Sequence, residues 1–183
     1  MENIGYVSTE GGPLLIVDFK SAPRWTGIEG DYQRVTDLLN AGKNKHGLQV
    51  EIDGEPAVIW EMPTGTADVW RDAEDSLVLC RPWLHLNSDR DEVLASLPPN
   101  DPTRIGRVRI YSGWVVVVWA TERGEDIAAN LPAEGQRLDL SVGSAGVIAR
   151  LGPGEYDCWS DRVAVGSESA VRCFIAKTGK AFD

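Results

Sequence analysis

The sequence predicts a β-rich α+β domain, mainly antiparallel sheet, with two short helices. Three observations predict it. Turn formers are frequent, with 19 Gly and 10 Pro in 183 residues. The apolar residues fall in short runs, either alternating or continuous, as strands require. Only two segments carry helical spacing.

The elements follow in chain order. Leu14-Leu15-Ile16-Val17 comes after Gly11-Gly12-Pro13 and reads as a buried strand. Over 31–41, Tyr32, Val35, Leu38 and Leu39 fall at i, i+3, i+6 and i+7, a helix face, with Asp31 as a cap and Gly42 as the stop. Leu48, Val50 and Ile52 alternate and run into Asp53-Gly54, the preferred pair for a two-residue hairpin. That turn pairs Ile52 with Glu55, Val50 with Ala57 and Leu48 with Ile59. Pro56 marks an edge or a strand start. A strand is expected over 77–86. Ser88 and Asp91 then resemble a capping box, followed by a short helix with Val93, Leu94 and Leu97, stopped by Pro98-Pro99. Val108 and Ile110 alternate within 107–111. Trp114-Val115-Val116-Val117-Val118-Trp119 is apolar on both faces, as in a central strand covered on both sides. Leu138, Leu140 and Val142 alternate, 147–149 returns after a turn at 143–146, Gly152-Pro153-Gly154 turns, and 172–177 is a last strand.

The length fits one domain spanning 1–183, with a possible subdivision near the polar stretch 121–137. No run approaches a membrane span, and Met1–Gly5 does not open a secretory signal. Three sparse cysteines (Cys80, Cys158, Cys173) point to a reducing, cytoplasmic setting; Cys158 and Cys173 could pair only if their geometry allows.

The net charge is −10, and its distribution is uneven. Residues 48–101 hold twelve acids against three bases, so nine of the ten net negative charges lie there. Such a balance argues against general binding to nucleic acid or anionic membranes and fits a basic partner. Trp60, Trp70 and Trp83 are interleaved with the acids. Charge steers encounter and a desolvated aromatic anchors it. A solvated acidic face over core tryptophans accounts for the same pattern. The expected partner surface is Trp70, Asp72, Glu74 and Asp75, with the hairpin tip Glu51, Asp53 and Glu55 second.

Catalytic patterns are missing from the sequence. His46 and His85 are the two histidines, without a second ligand cluster. There is no nucleophile elbow, zincin helix or phosphate loop. No cofactor or metal is expected, and no enzyme activity. A carboxylate-dependent hydrolase and a carbohydrate-binding module are the alternatives. The first needs a perturbed carboxylate in a pocket; the second needs coplanar exposed Trp rings. Trp114 and Trp119 differ by an odd number and face opposite sides, which makes no ladder.

Ser8-Thr9-Glu10-Gly11-Gly12-Pro13-Leu14-Leu15-Ile16, then Trp25-Thr26-Gly27, then Asp31-Tyr32, resembles the opening of the immunity protein 21 family of bacterial polymorphic toxin systems. The likeness continues more loosely through Asp53–Ala57, Ser88–Pro99 and Trp114–Gly124, so it covers about residues 5–142. It does not extend to 151–183. It implies a protein that binds and neutralises a toxin encoded beside it. A nuclease toxin, with its basic substrate groove, would suit an acidic inhibitor. Gly11, Gly12, Pro13 and Gly27 then set backbone shape, and Trp25, Asp31 and Tyr32 serve the fold.

Overall fold

The computed structural model describes residues 1–42, 45–72, 76–83, 88–130, 132–133, 136–140 and 144–179. Two six-stranded antiparallel sheets pack face to face. The first has, in spatial order, β1 (Glu2–Thr9), β5 (Gly65–Arg71), β6 (Leu77–Pro82), β12 (Glu168–Lys177), β11 (Gly154–Val165) and β7 (Thr103–Ile110). The second has β3 (Gly47–Ile52), β4 (Glu55–Trp60), β2 (Leu14–Asp18), β8 (Trp114–Trp119), β10 (Gly146–Arg150) and β9 (Gln136–Leu138). Both sheets draw strands from either side of 121–137.

The alternation of each strand divides its residues between two faces. In β8, Val115 and Val117 enter the core between the sheets, while Val116 and Val118 enter a second core on the outer face of their own sheet. Each such side chain, removed from water, contributes roughly 1.5–3 kcal/mol over leaving it exposed. Trp119 packs on the first core and Trp114 on the second, as their odd spacing requires. The Asp53-Gly54 hairpin has the expected register, Ile52 opposite Glu55, Val50 opposite Ala57 and Leu48 opposite Ile59. Asp53 and Gly54 both have positive φ, at 55° and 79°. Pro56 sits at a strand start: β2 pairs β4 only from Val58 to Trp60, so no ladder bond is lost there.

Helix α1 (Asp31–Ala41) lies over the second sheet, with Val35 and Leu39 buried and Tyr32 partly so. Leu38 departs from the expected face and is 48% exposed. It lies about 95° around the helix from the centre of the Tyr32–Val35–Leu39 stripe at 100° per residue. Asp31 is the first helical residue, and Gly30 precedes it as the cap. Asp31 still organises the start: its carboxylate accepts from Thr26 N at 3.0 Å and Thr26 Oγ1 at 2.8 Å, while its own N–H donates to Thr26 Oγ1 at 2.9 Å.

Helix α2 (Ser88–Ser96) covers the outer face of the first sheet, where Trp70, Val78, Cys80, Leu94, Ala95, Val163, Ala170 and Phe174 form a third core. Leu94 is buried there, whereas Val93 is 53% exposed. The strand expected over 77–86 ends at Pro82, and 84–87 lie outside the described residues. So does Val142. A further short helix, α3 (Gly124–Ala128), and the strands β1, β5 and β11 were not expected from periodicity.

Candidate functional site

The β3–β4 hairpin tip, the end of β5 and the β7–β8 turn lie at the same end of the sandwich. Asp18 fixes that end. Its buried carboxylate accepts from the N–H groups of Tyr111 and Ser112, both at 2.9 Å, from Ser112 Oγ at 2.7 Å and from Lys20 N at 2.9 Å. Arg71 Nη2 reaches Arg150 O at 2.7 Å and ties the end of β5 to the opposite sheet.

Of the acids expected to form a partner surface, Glu51 and Asp53 are exposed at the hairpin tip. Asp53 faces Arg24 at 3.6 Å, an exposed pair of little energetic weight. Glu55 is engaged: it accepts from the Tyr111 hydroxyl, and Arg109 Nη1 stands 3.5 Å away. Asp72 is partly buried and caps its own turn, accepting from Ser76 N at 2.8 Å. Glu74 and Asp75 lie outside the described residues.

Trp70 corrects the expectation of an exposed anchor. It is 6% exposed and belongs to the third core. On β5 it alternates outward from Ala67 and Val69, and the outer face is covered at that point. Its indole N–H has no hydrogen-bond partner among the described residues. Trp83, by contrast, is 48% exposed, with Arg81 stacked over its ring at 5.4 Å.

A ladder of alternating charge runs along the edge strand β7 and its neighbour β11, which periodicity did not find. Arg104 Nη2 meets Asp157 at 2.6 Å, Arg107 bridges Asp157 at 3.1 Å and Glu155 at 2.9 Å, and Arg109 reaches Glu155 at 2.7 Å. The guanidinium groups of Arg104 and Arg107 hold the Asp157 carboxyl below its ordinary range against the opposing effect of burial, and Arg109 does the same for Glu155. Charges on an edge strand also discourage another chain from pairing with it. The free edge of β7 is further occupied by Gln49, whose Oε1 accepts from Arg107 N at 3.2 Å.

The residues that carry the family resemblance pack around the start of α1. Gly11 and Gly12 have φ of 138° and 106°, which other residues rarely adopt. A Cβ on Gly12 would stand 2.7 Å from Tyr32 Oη. Trp25 is buried and donates Nε1–H to Ala120 O at 2.9 Å. Gly27, at φ 59°, lets its backbone approach Thr121 and Glu122, whose carbonyl oxygens lie 2.5 Å from a Cβ there.

Cys80, Cys158 and Cys173 are free and buried. Burial pushes the Cys80 thiol up to about 12 and raises the other two well above the ordinary thiol value. His46 accepts at its carbonyl from Glu61 N at 3.0 Å, and His85 lies outside the described residues. Among the described residues no group of three or more His, Cys, Asp or Glu is placed to hold a metal ion, and no helix is long and apolar enough to cross a membrane. Compared with protein-family models, with curated proteins and with solved structures, the chain matches none.

Proposed function

We propose that the chain is an immunity protein that binds and neutralises a cognate toxin, in the manner of the immunity protein 21 family. What carries the reading is the resemblance of Ser8–Ile16, Trp25–Gly27 and Asp31–Tyr32. In support, these residues are neighbours in the fold: the Gly11-Gly12 turn abuts Tyr32, and Trp25 and Gly27 both lock onto Ala120–Glu122. The charge supports a basic partner, since nine of ten net negative charges fall within 48–101. Glu51 and Asp53 present carboxylates at an exposed tip, and Asp72 and Asp75 belong to the same acidic segment.

The test is co-expression with the toxin domain encoded beside the gene, scoring survival and co-purification together. Survival with a stable complex is expected. Charge reversal at Asp72 and Asp75 should then slow association and weaken its salt-sensitive part, with the fold retained. Survival without a complex would instead favour an enzyme that reverses the damage. Failure of both survival and complex formation would overturn the reading.

A further inference from the structure

The start of β2 and the inner flank of α1 enclose a cleft of about 220 Å³, lined by Gly12, Pro13, Tyr32, Leu39, Lys45 and Glu61, with Thr36 and Asn40 at its rim. It is smaller than the pockets of about 300–1,000 Å³ that take drug-sized ligands, so it suits a group the size of one residue.

Its chemistry is specific in charge. Its described lining residues carry one carboxylate and one ammonium, and among the described residues Glu61 and Lys45 form no ion pair with each other or with any other group. Burial raises the Glu61 carboxyl above its ordinary range, the condition of a carboxylate that lacks a cationic partner. Gly12 leaves the floor bare. A Cβ there would fall 2.7 Å from Tyr32 Oη and 3.4 Å from Trp119 Nε1, so both groups pack close against the Gly12 backbone. The Trp119 indole N–H is buried and has no hydrogen-bond partner among the described residues, a state that costs free energy until an acceptor is supplied. Pro13 and Leu39 supply the apolar wall.

A ligand that answers the lining groups carries an anionic acceptor for Lys45 and Tyr32, a cationic donor for Glu61 and a small apolar body; Trp119, just behind Gly12, reports on it. We propose that the cleft binds a free α-amino acid as its zwitterion, with the carboxylate toward Lys45 and Tyr32, the ammonium toward Glu61 and an aliphatic side chain against Pro13 and Leu39. No bond is made or broken.

The test uses the isolated chain and follows the Trp119 indole N–H by NMR while L-alanine, L-valine and L-leucine are titrated to about 20 mM, the range of a weak single-residue ligand. N-acetyl-L-leucine, which lacks the ammonium, and L-leucine amide, which lacks the carboxylate, are the controls. A saturable shift is expected with at least one free amino acid. Each blocked analogue, and each of Glu61→Gln and Tyr32→Phe, should bind about tenfold more weakly or worse. Asp37→Asn, at a residue that accepts from Gln33 on the exposed face of α1 and does not line the cleft, should bind as the parent does. No saturable shift with any amino acid would overturn the proposal, and so would blocked analogues that bind as tightly as the free ones. Should one variant unfold, the blocked analogues decide on the parent chain. No toxin enters the experiment, so its failure leaves the immunity reading standing, and the reverse holds too.

Discussion

Arg172 and Asp161 form a two-point ion pair from which water is excluded: Nε donates to Oδ1 at 3.0 Å and Nη2 to Oδ2 at 2.6 Å, and neither side chain is exposed. The pair lies on the outer face of the first sheet beneath α2. Arg172 spends its remaining donors on the end of that helix, with Nη1 on Leu94 O at 2.9 Å and Leu97 O at 2.7 Å, and Nη2 on Pro98 O at 3.1 Å. A cation at a helix C-terminus also opposes the helix dipole. Asp161 accepts in addition from Asn100 N at 2.8 Å, which fixes the chain just past Pro98-Pro99. The two residues therefore fasten α2 to the sheet.

Arg172→Ala is expected to destabilise strongly. It leaves Asp161 buried without its cation, and removing one partner of a buried pair costs about 3–5 kcal/mol. It also strands carbonyls of α2. Asp161→Asn should cost less, because the amide keeps an acceptor for Arg172 and for Asn100 N. Urea unfolding of both variants and of the double variant measures the coupling. Costs that simply add would mean that the two side chains do not act as a unit.

Gly124 should be intolerant of any side chain. A Cβ there falls 1.7 Å from Ala22 O and 2.7 Å from its carbonyl carbon, both backbone atoms that cannot rotate away. Gly124 N donates to Trp25 O at 2.9 Å, so the helix start and the Trp25 segment are in direct contact. Gly124→Ala is expected to lower stability by more than about 2 kcal/mol, beyond the helix-propensity gain of Ala, which is about 1 kcal/mol in the opposite sense. Gly54→Ala, at a position with no atom within 4 Å, isolates the φ effect alone and should cost less. Thermal melts of the two variants make the comparison.

The same contacts explain what could be read from the sequence. The β3–β4 register was legible because its turn chemistry and its alternation agree, and β8 because it buries both faces. β11 was not legible. Its alternation passes through Glu155, Asp157 and Asp161, which look like loop residues until Arg104, Arg107, Arg109 and Arg172 are placed opposite them. α3 begins on a glycine chosen for a distant backbone contact with Ala22, which no local pattern reveals. For the candidate site, the exposure of Glu51 and Asp53 followed from the turn. The burial of Trp70 did not follow, because the helix that covers its face, α2, is set by long-range pairing through Arg172.

Acid should weaken the fold through Asp157 and Asp31 and relieve it through Glu61. Asp157 and Asp31 titrate below the ordinary value of 3.8 in the folded chain, so the unfolded chain binds more protons there. Their contribution is complete above about pH 4 and is lost as pH falls through the lowered folded values. Glu61 has the opposite sign: its folded value lies above 4.5, so it penalises the fold at neutral pH and ceases to do so as it protonates. Glu61→Gln is expected to be neutral or slightly stabilising at pH 7, with the difference vanishing below about pH 4. Asp157→Asn should flatten the acid limb of the stability curve. Urea midpoints between pH 3 and 7 check both signs, and added salt should shrink the Asp157 effect, since that ladder faces solvent.

The three thiols report how the fold opens. Burial raises all three, Cys80 to about 12, so at pH 8 thiolate is scarce and access is blocked as well. A thiol reagent should therefore label the native chain only as fast as it opens, and label three sites at once in denaturant. The sites are not equivalent. Cys158 and Cys173 lie in the core between the sheets, whereas Cys80 lies in the third core under α2. Lifting α2 alone would expose Cys80 and leave the other two covered. Arg172→Ala should thus accelerate labelling of Cys80 more than of Cys158 or Cys173, read by mass spectrometry of the labelled peptides. Equal acceleration at all three would mean that α2 cannot leave the sheet without global unfolding, and that the Arg172–Asp161 pair belongs to the same cooperative unit as the central core.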